Sequence, residues 1–345
     1  MKDVLDRVLP RIGGNGVIDQ LAALSGSDFT SVMLEVARRR AARQTPASVL
    51  RRYEQDRFVR PGQVPAMALR RVEDVLLGGL PGDVEVVSLA PLVPLGTHSA
   101  LGPVSQDKVV STIRGSEVAA DPTNALALET AARRARARGA PPAGRAPSAH
   151  VRLAAVQRVV RAQQVPDAPG FFAHFGLFAL VTAGRDTGSL EFERSALTGQ
   201  LGIAIHGVSE ALVAGGAEAA GEARATSGGG TAAGGGTADV RVALTPLSDQ
   251  GERIAAAVTA ELAVTAGLRA GGTAEIVIDR GRQAGRGYYR HLCFKVMAHA
   301  GGEPTEIGDG GFTDWTARLT ANAKERLLIC GLSTDRLATL SAGTA

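Results

Sequence analysis

The stretch from His150 to Gly184 admits few folds. "HVRLAAVQRVVRAQQV" and "GFFAHFGLFALVTAG" are two long runs rich in Val, Leu, Phe and Ala, joined by "PDAP". Long strand-like runs on either side of a short proline turn predict an antiparallel ribbon. Helical patterns surround it. "VPAMALRRVEDVLLGGLPG" reads as an amphipathic helix running into a turn, and "VEVVSLAPL" then alternates like a strand that stops at Pro91. Further on, "VRVALTPLSDQGERIAAAVTAELAVTAGL" is a strand followed by a helix capped by Ser248 or Asp249, and "LSTDRLATL" starts a last helix. Long antiparallel strands and helices sharing one core predict an α+β domain, and parallel-sheet folds fit poorly.

Residues 1–60 read as helices, "SDFTSVMLEVARRRAARQ" above all, and form an appendage to a core spanning 61–345. Residues 214–238, "AGGAEAAGEARATSGGGTAAGGGTA", hold so much Gly and Ala that little side-chain burial offsets the ordering entropy, which predicts a mobile surface loop. Aromatic residues make up only 4 % of the chain, so the interior must be packed largely with Ala, Val and Leu.

The formal charge of +4 is carried in part by two arginine clusters, "EVARRRAAR" and "ETAARRARARG". At helical spacing among alanines they read as solvated helix faces, with nucleic acid or nucleotide phosphate as the alternative. Cys293 and Cys330 both lie in apolar surroundings and read as buried thiols of a reducing compartment. No apolar run nears the roughly 18 residues that cross a bilayer, and "MKDVLDRVLP" lacks the apolar stretch of a signal peptide, so a cytoplasmic location and no membrane partner are expected.

Several chemistries find no support. No Walker loop or dinucleotide fingerprint is present, and "GGAEAAG" precedes no convincing helix. The six histidines never pair at ligand spacing, so no metal site is expected. "GLSTDRL" has the wrong flanks for a serine nucleophile elbow. What stands out is arginine among apolar neighbours. Arg161 closes "QRVVR" and Arg336 opens the last helix after "LLICGLSTD". A guanidinium in such surroundings needs an anion, either a protein carboxylate or a ligand's carboxylate or phosphate.

Taken in order, these features resemble the class II aminoacyl-tRNA synthetases, and most of all their histidyl branch. "VRAQQVPDAPGFFAHF" resembles motif 2 through Arg161 and Phe175, with Gln163 where the family has glutamate. "CGLSTDRL" resembles motif 3 through Gly331, Asp335 and Arg336, with Ser333 in place of a glycine, and residues 64–91 resemble motif 1 weakly. The branch also carries a segment of the form R-G-x-x-Y-Y-T-G-x-x-F-E followed by G-G-x-Y-D. "AGRGYYRHLCFK" keeps Gly285, Tyr288, Tyr289 and Phe294, and "GGFTDW" keeps Gly310, Gly311 and Asp314. "IVID" and the spacing from Asp279 to Phe294 are similar as well to the regulatory subunit of ATP phosphoribosyltransferase, a synthetase core without catalysis.

The resemblance implies an antiparallel sheet flanked by helices that binds ATP with Mg2+ and forms an acyl-adenylate. Arg161 would hold the α-phosphate and Arg336 would stack on adenine or hold the γ-phosphate, with Gln163, Phe175, Gly331 and Asp335 completing the nucleotide side. Thr123, Arg286, Tyr288, Tyr289, Lys295, Gly310 and Gly311 would line the pocket for a carboxylic or amino acid. The departures argue against histidine as that acid. Ala284 replaces the arginine that helps activate the substrate, with Arg282 and Arg286 two positions away on a segment read as extended. Lys295 replaces the pocket glutamate, and Thr123 stands where a glutamate would hold the ammonium. A homodimer is implied, with a partner enzyme or a non-standard acceptor. Only a short helix follows Arg336, so decoding of tRNA is not expected. A non-catalytic, ligand-sensing paralogue is the alternative.

Overall fold

The computed structural model describes residues 2–102, 104–139, 150–163, 166, 170–227, 239–265, 274–300 and 303–343. Four helices come first: α1 (Lys2–Val8), α2 (Asn15–Ala23), α3 (Gly26–Ala41) and α4 (Pro46–Gln55). Ser25 caps α3 by accepting the Asp28 N–H, and Thr45 with Ser48 forms a reciprocal capping box on α4. None of α2, α3 and α4 has a buried residue, and Ile18, Val32, Val36, Val49 and Leu50 are exposed. Polar threads tie this arm down, such as Thr30 Oγ1 donating to Ile113 O at 3.1 Å and Arg57 donating to Phe171 O at 3.3 Å.

The body follows with α5 (Ala66–Gly78), β1 (Glu85–Val86), β2 (Leu92–Pro94), α6 (Thr97–Leu101), β3 (Ser116–Val118) and α7 (Pro122–Gly139). Then come β4 (His150–Val160), β5 (His174–Arg185), α8 (Glu191–Ser227), β6 (Asp239–Pro246), α9 (Asp249–Thr265) and β7 (Ala274–Ile278). The chain closes with β8 (Arg290–His299), β9 (Thr305–Thr313), α10 (Trp315–Leu319), β10 (Glu325–Ser333) and α11 (Thr334–Ser341). Among the described residues eight strands form one sheet in the order β1-β4-β5-β10-β9-β8-β6-β7. Only β1 with β4 and β6 with β7 run parallel, so the sheet is mostly antiparallel and the domain α+β, as the long ribbon predicts. That ribbon is β4 with β5, paired from His150↔Gly184 to Val160↔His174.

Alternation along the strands divides the core between two faces. Phe178, Leu180, Leu328, Leu332, Phe294 and Val242 point one way, into a core closed by α5, α8, α9 and α11. Leu153, Ala179, Val181, Ile329 and Cys293 point the other way, where α7 covers them with Leu126 and Ala127. Asp121 sets the start of α7, its Oδ1 accepting the Thr123 N–H at 2.9 Å one residue past Pro122. The arginines of "ETAARRARARG" then fasten this helix to the sheet. Arg133 pairs with Glu85 and Glu129, and Arg134 pairs with the buried Glu325. Cys293 and Cys330 are buried free thiols, and burial raises the pKa of both.

Three expectations need correction. The Gly/Ala-rich stretch is helical as far as Ser227, so "GGAEAAG" lies inside α8 and not in a loop, while 228–238 fall outside the described residues. Ala has the highest helix propensity, and a helix already nucleated and packed at Phe192, Leu201 and Val208 propagates through it at little cost. Gly215 serves the packing there, since a Cβ would lie 2.5 Å from the Ser341 Cβ of α11. The strand expected in "VEVVSLAPL" is only the two-residue β1. Finally, β8 begins at Arg290, so Tyr288 and Tyr289 occupy the turn before it and residues 279–289 are not extended. Gly285, at φ +67°, takes a backbone conformation that a side chain there would strain.

Candidate functional site

One register row crosses most of the sheet on the α7 face. Ala155 on β4 pairs with Ala179 on β5, Ala179 with Gly331 on β10, Gly331 with Asp309 on β9, and Asp309 with Lys295 on β8. Side chains this small leave the floor low. Ala155 and Ala179 lie fully buried under α7, but a Cβ built on Gly331 meets no atom within 4 Å, so the floor opens at Gly331. The groove above it has two different halves.

Arg161 dominates the first half. It stands one residue past the end of β4, with its guanidinium carbon 5.2 Å from the centre of the Phe175 ring on β5. Its Nε donates to Ala120 O at 3.1 Å and its Nη2 lies 3.5 Å from Asp121 Oδ2. Nη1 has no protein partner among the described residues, and the side chain is 40 % exposed, so donors remain for a ligand. Gln163 follows with its backbone N–H on Arg161 O at 2.8 Å. Arg336, in the first turn of α11, reaches back to donate from Nη1 to Glu306 O at 2.9 Å. The end of β10 pairs with β5 at Ser333↔Leu177, close to Phe175, so Arg161 and Arg336 rise from the same end of the sheet. The strands that lead into them, β4 and β10, flank β5 and stand about 10 Å apart.

Tyr288 and Tyr289 stand in the second half. Tyr288 stacks on Trp315 with ring centres 5.6 Å apart, and its hydroxyl donates to Tyr289 Oη at 3.2 Å. Tyr289 in turn donates to Asp309 Oδ2 at 3.2 Å, which also accepts Arg282 Nη2 at 3.0 Å. Gly311 makes this possible, because a Cβ there would come within 2.6 Å of the Tyr289 ring. Burial raises the pKa of both phenols, with the Asp309 charge adding to it, so they remain neutral donors. Burial also raises the Asp309 carboxyl, against the pull of Arg282. Asp309 Oδ1 has no protein partner among the described residues, and the side chain is 38 % exposed.

The remaining expected residues are placed as follows. Lys295 faces the groove, but its ammonium is held by Glu306. Thr123 is buried, with both its N–H and its hydroxyl on Asp121 Oδ1, and is spent on starting α7. A Cβ on Gly310 would strike the Phe294 ring and Ile329 O, so this glycine faces the helix-covered core and not the groove. Asp335 is fully buried and accepts the Gly176 N–H at 2.6 Å, anchoring α11 to β5. Arg286 donates to Arg282 O at 3.1 Å, beside the turn. Arg290, which was not an expected site residue, opens β8 and pairs with Asp314 at 2.7 Å. Three groups central to the groove were not among the expected residues: Asp121, Asp309 and, in a partnering role, Arg282. Asp309 lies within "IGDGGF", where nothing in the local pattern separates a floor carboxylate from a turn residue.

Among the described residues, no three His, Cys, Asp or Glu side chains converge as a metal cage, and no helix is long and apolar enough to cross a membrane. No protein-family model and no curated protein matches the sequence. Solved structures do match. Apo S. aureus histidyl-tRNA synthetase superposes over 81 % of this chain and 66 % of its own, with TM-score 0.51 and 13 % identity. An ATP phosphoribosyltransferase regulatory subunit/histidyl-tRNA synthetase from Bacillus halodurans C matches over 79 % of both chains, with TM-score 0.53 and 13 % identity. The fold is that of a class II aminoacyl-tRNA synthetase core. A histidine–tRNA ligase subunit from Alicyclobacillus acidocaldarius is similar over 80 % of this chain and 93 % of its own, at TM-score 0.50 and 13 % identity. The chain thus spans about two thirds of the length of the S. aureus enzyme and most of the length of the Alicyclobacillus subunit.

Proposed function

We propose that this synthetase-like core binds ATP in the groove and activates a carboxylic or amino acid other than histidine as its adenylate. The observation that carries this reading is the state of Arg161. Ala120 O and Asp121 orient it and Phe175 lies beside it, yet Nη1 is left without a protein partner over an open floor at Gly331. Such a guanidinium suits a phosphate oxygen, and it stabilises most where charge develops, on the α-phosphate during in-line attack by the acid. Arg336, whose Nε and Nη2 lack protein partners among the described residues, would take the base or the terminal phosphate. Magnesium would arrive with the nucleotide and would supply positive charge against its phosphates. The acid would lie over Tyr288, Tyr289 and Asp309, and the activated acyl group would pass to a non-standard acceptor. In this reading residues 1–60 are a helical appendage to the core, and the protein works in the cytoplasm as a homodimer.

Titration of MgATP into the full-length protein by calorimetry, followed by acid-dependent release of pyrophosphate, tests this directly. Binding with an acid-dependent release supports it, and absence of MgATP binding overturns it.

A second reading is a ligand-sensing paralogue acting on a partner enzyme. It is favoured by the acid half, where Arg282 and Lys295 are already answered by Asp309 and Glu306. MgATP binding with no pyrophosphate release across acids, together with a co-purifying partner, would select it.

A further inference from the structure

A buried polar chain leads from the small β2–β3 sheet to Arg161. Glu117 on β3 is 0 % exposed, and among the described residues no lysine or arginine pairs with it. Four N–H donors surround it. Gly96 N at 2.9 Å and Gln106 Nε2 at 2.8 Å donate to Oε2, while His98 N at 3.0 Å and His98 Nδ1 at 2.6 Å donate to Oε1. Burial alone would raise this carboxyl, but the His98 amide, Gln106, the Gly96 amide and the His98 ring together pull it down to about 2. Glu117 is therefore a full charge held by oriented dipoles.

That charge settles the state of His98, itself 1 % exposed. Nδ1 faces a carboxylate and must carry the proton. Nε2 lies 3.0 Å from the Ala120 N–H and must accept it, so the ring is the neutral Nδ1–H tautomer. Ala120 is thus held from its N–H side by His98 and from its carbonyl side by Arg161 Nε at 3.1 Å, and the next residue supplies Asp121 Oδ2 to the same guanidinium. Without the imidazole, the Ala120 N–H would be a buried donor lacking its partner, and the 119–121 backbone would shift to find one.

We propose that His98 and Glu117 are positioning residues for Arg161, setting the orientation in which its free Nη1 meets a ligand. The effect on nucleotide rests on the reading of the groove given above; the effect on the guanidinium does not. Burying a carboxylate without a cation is costly, and an apolar pair of the same volume would serve packing alone. What an apolar pair could not do is fix the direction of one peptide and, through it, of one arginine.

The substitution His98→Asn separates this role from packing. Its amide nitrogen can stand in for Nδ1 towards Glu117 but cannot reach the Ala120 N–H. In nitrogen-15 spectra of the full-length protein, the Arg161 Nε–H signal, assigned by its loss in Arg161→Lys, is expected to move and to exchange faster in His98→Asn. MgATP affinity is expected to fall about tenfold in that variant and to fall no further when His98→Asn is added to Arg161→Ala. An unchanged Arg161 Nε–H signal in folded His98→Asn, or equal losses of affinity in the two backgrounds, would overturn the proposal. Should His98→Asn not fold, Gln106→Ala loosens Glu117 from a half-buried position, and the same signal is expected to shift by less; no shift overturns it. A wild-type protein that binds no MgATP sinks the nucleotide reading alone, and the arginine signal still decides the positioning role.

Discussion

The two halves of the groove share one floor and differ in where their charge goes. On the Arg161 side, the protein orients a guanidinium and leaves part of it unmatched. On the tyrosine side three cations each meet a carboxylate, Arg282 with Asp309, Lys295 with Glu306 and Arg290 with Asp314, while Arg286 donates only to Arg282 O and Gln283 Oε1. Proximity to a polar floor therefore does not make a charged residue a ligand-binding residue. What matters is whether its charge already has a carboxylate in close contact. The first half is poised for an anion, and the second offers neutral phenols and one carboxylate oxygen.

The largest effect is expected where that internal matching is deepest. Arg282, 4 % exposed at its side chain, pairs with Asp309 and donates to Phe294 O, Ala284 O and Gly285 O, so Arg282→Ala should cost about 3–5 kcal/mol in urea unfolding by removing several charge-assisted hydrogen bonds at once. A loss below about 1 kcal/mol would mean that the tyrosine half is not internally matched.

On the other side, the pH dependence of stability should report Glu117. Its carboxyl is depressed from 4.5 to about 2, so its stabilisation is present in full above pH 4.5 and fades as pH falls towards 2. The contribution is about 3 kcal/mol. Glu117→Gln should flatten that window in urea melts between pH 5 and 2, and an unaltered slope would contradict the depressed carboxyl.

Arg161→Ala sharpens the contrast. MgATP affinity should fall about 100-fold, near 2.7 kcal/mol, while stability changes little, because the side chain is 40 % exposed. The reverse pattern, an unfolded protein with intact affinity in the folded fraction, would place Arg161 with the internally matched residues.

The smallest effect belongs to Tyr288→Phe. It removes one hydroxyl that donates to Tyr289 and keeps the ring stacked on Trp315, so unfolding should shift by about 0.5–1.5 kcal/mol. A larger loss would show the phenol pair to be a structural keystone rather than a pocket wall.

Much of the fold can be read in the sequence, and less of the site. The ribbon of β4 and β5 follows from two long apolar runs and a proline turn, and the helix α11 from "LSTDRLATL", because apolar periodicity and capping act over a few residues. Arg161 and Phe175 are paired by the likeness of their segment to motif 2, and the ring does lie beside the guanidinium. The Gly/Ala-rich stretch misled because composition measures burial poorly in a helix nucleated elsewhere. Lys295, Thr123 and Gly310 resisted for another reason. Each was placed by likeness of residue type, whereas its role depends on a partner distant in sequence or on which face of a strand it occupies.

The chain by itself determined an α+β core, the strand pairing of its longest ribbon, and the two arginines that end up at one end of the sheet, since each is written in local pattern. Only the tertiary structure decided which charges are spent and which remain, because Asp309, Glu306 and Ala120 reach their partners across strands and loops. A hydrogen bond is settled by fractions of an ångström between residues dozens apart in sequence, and no local pattern records that distance.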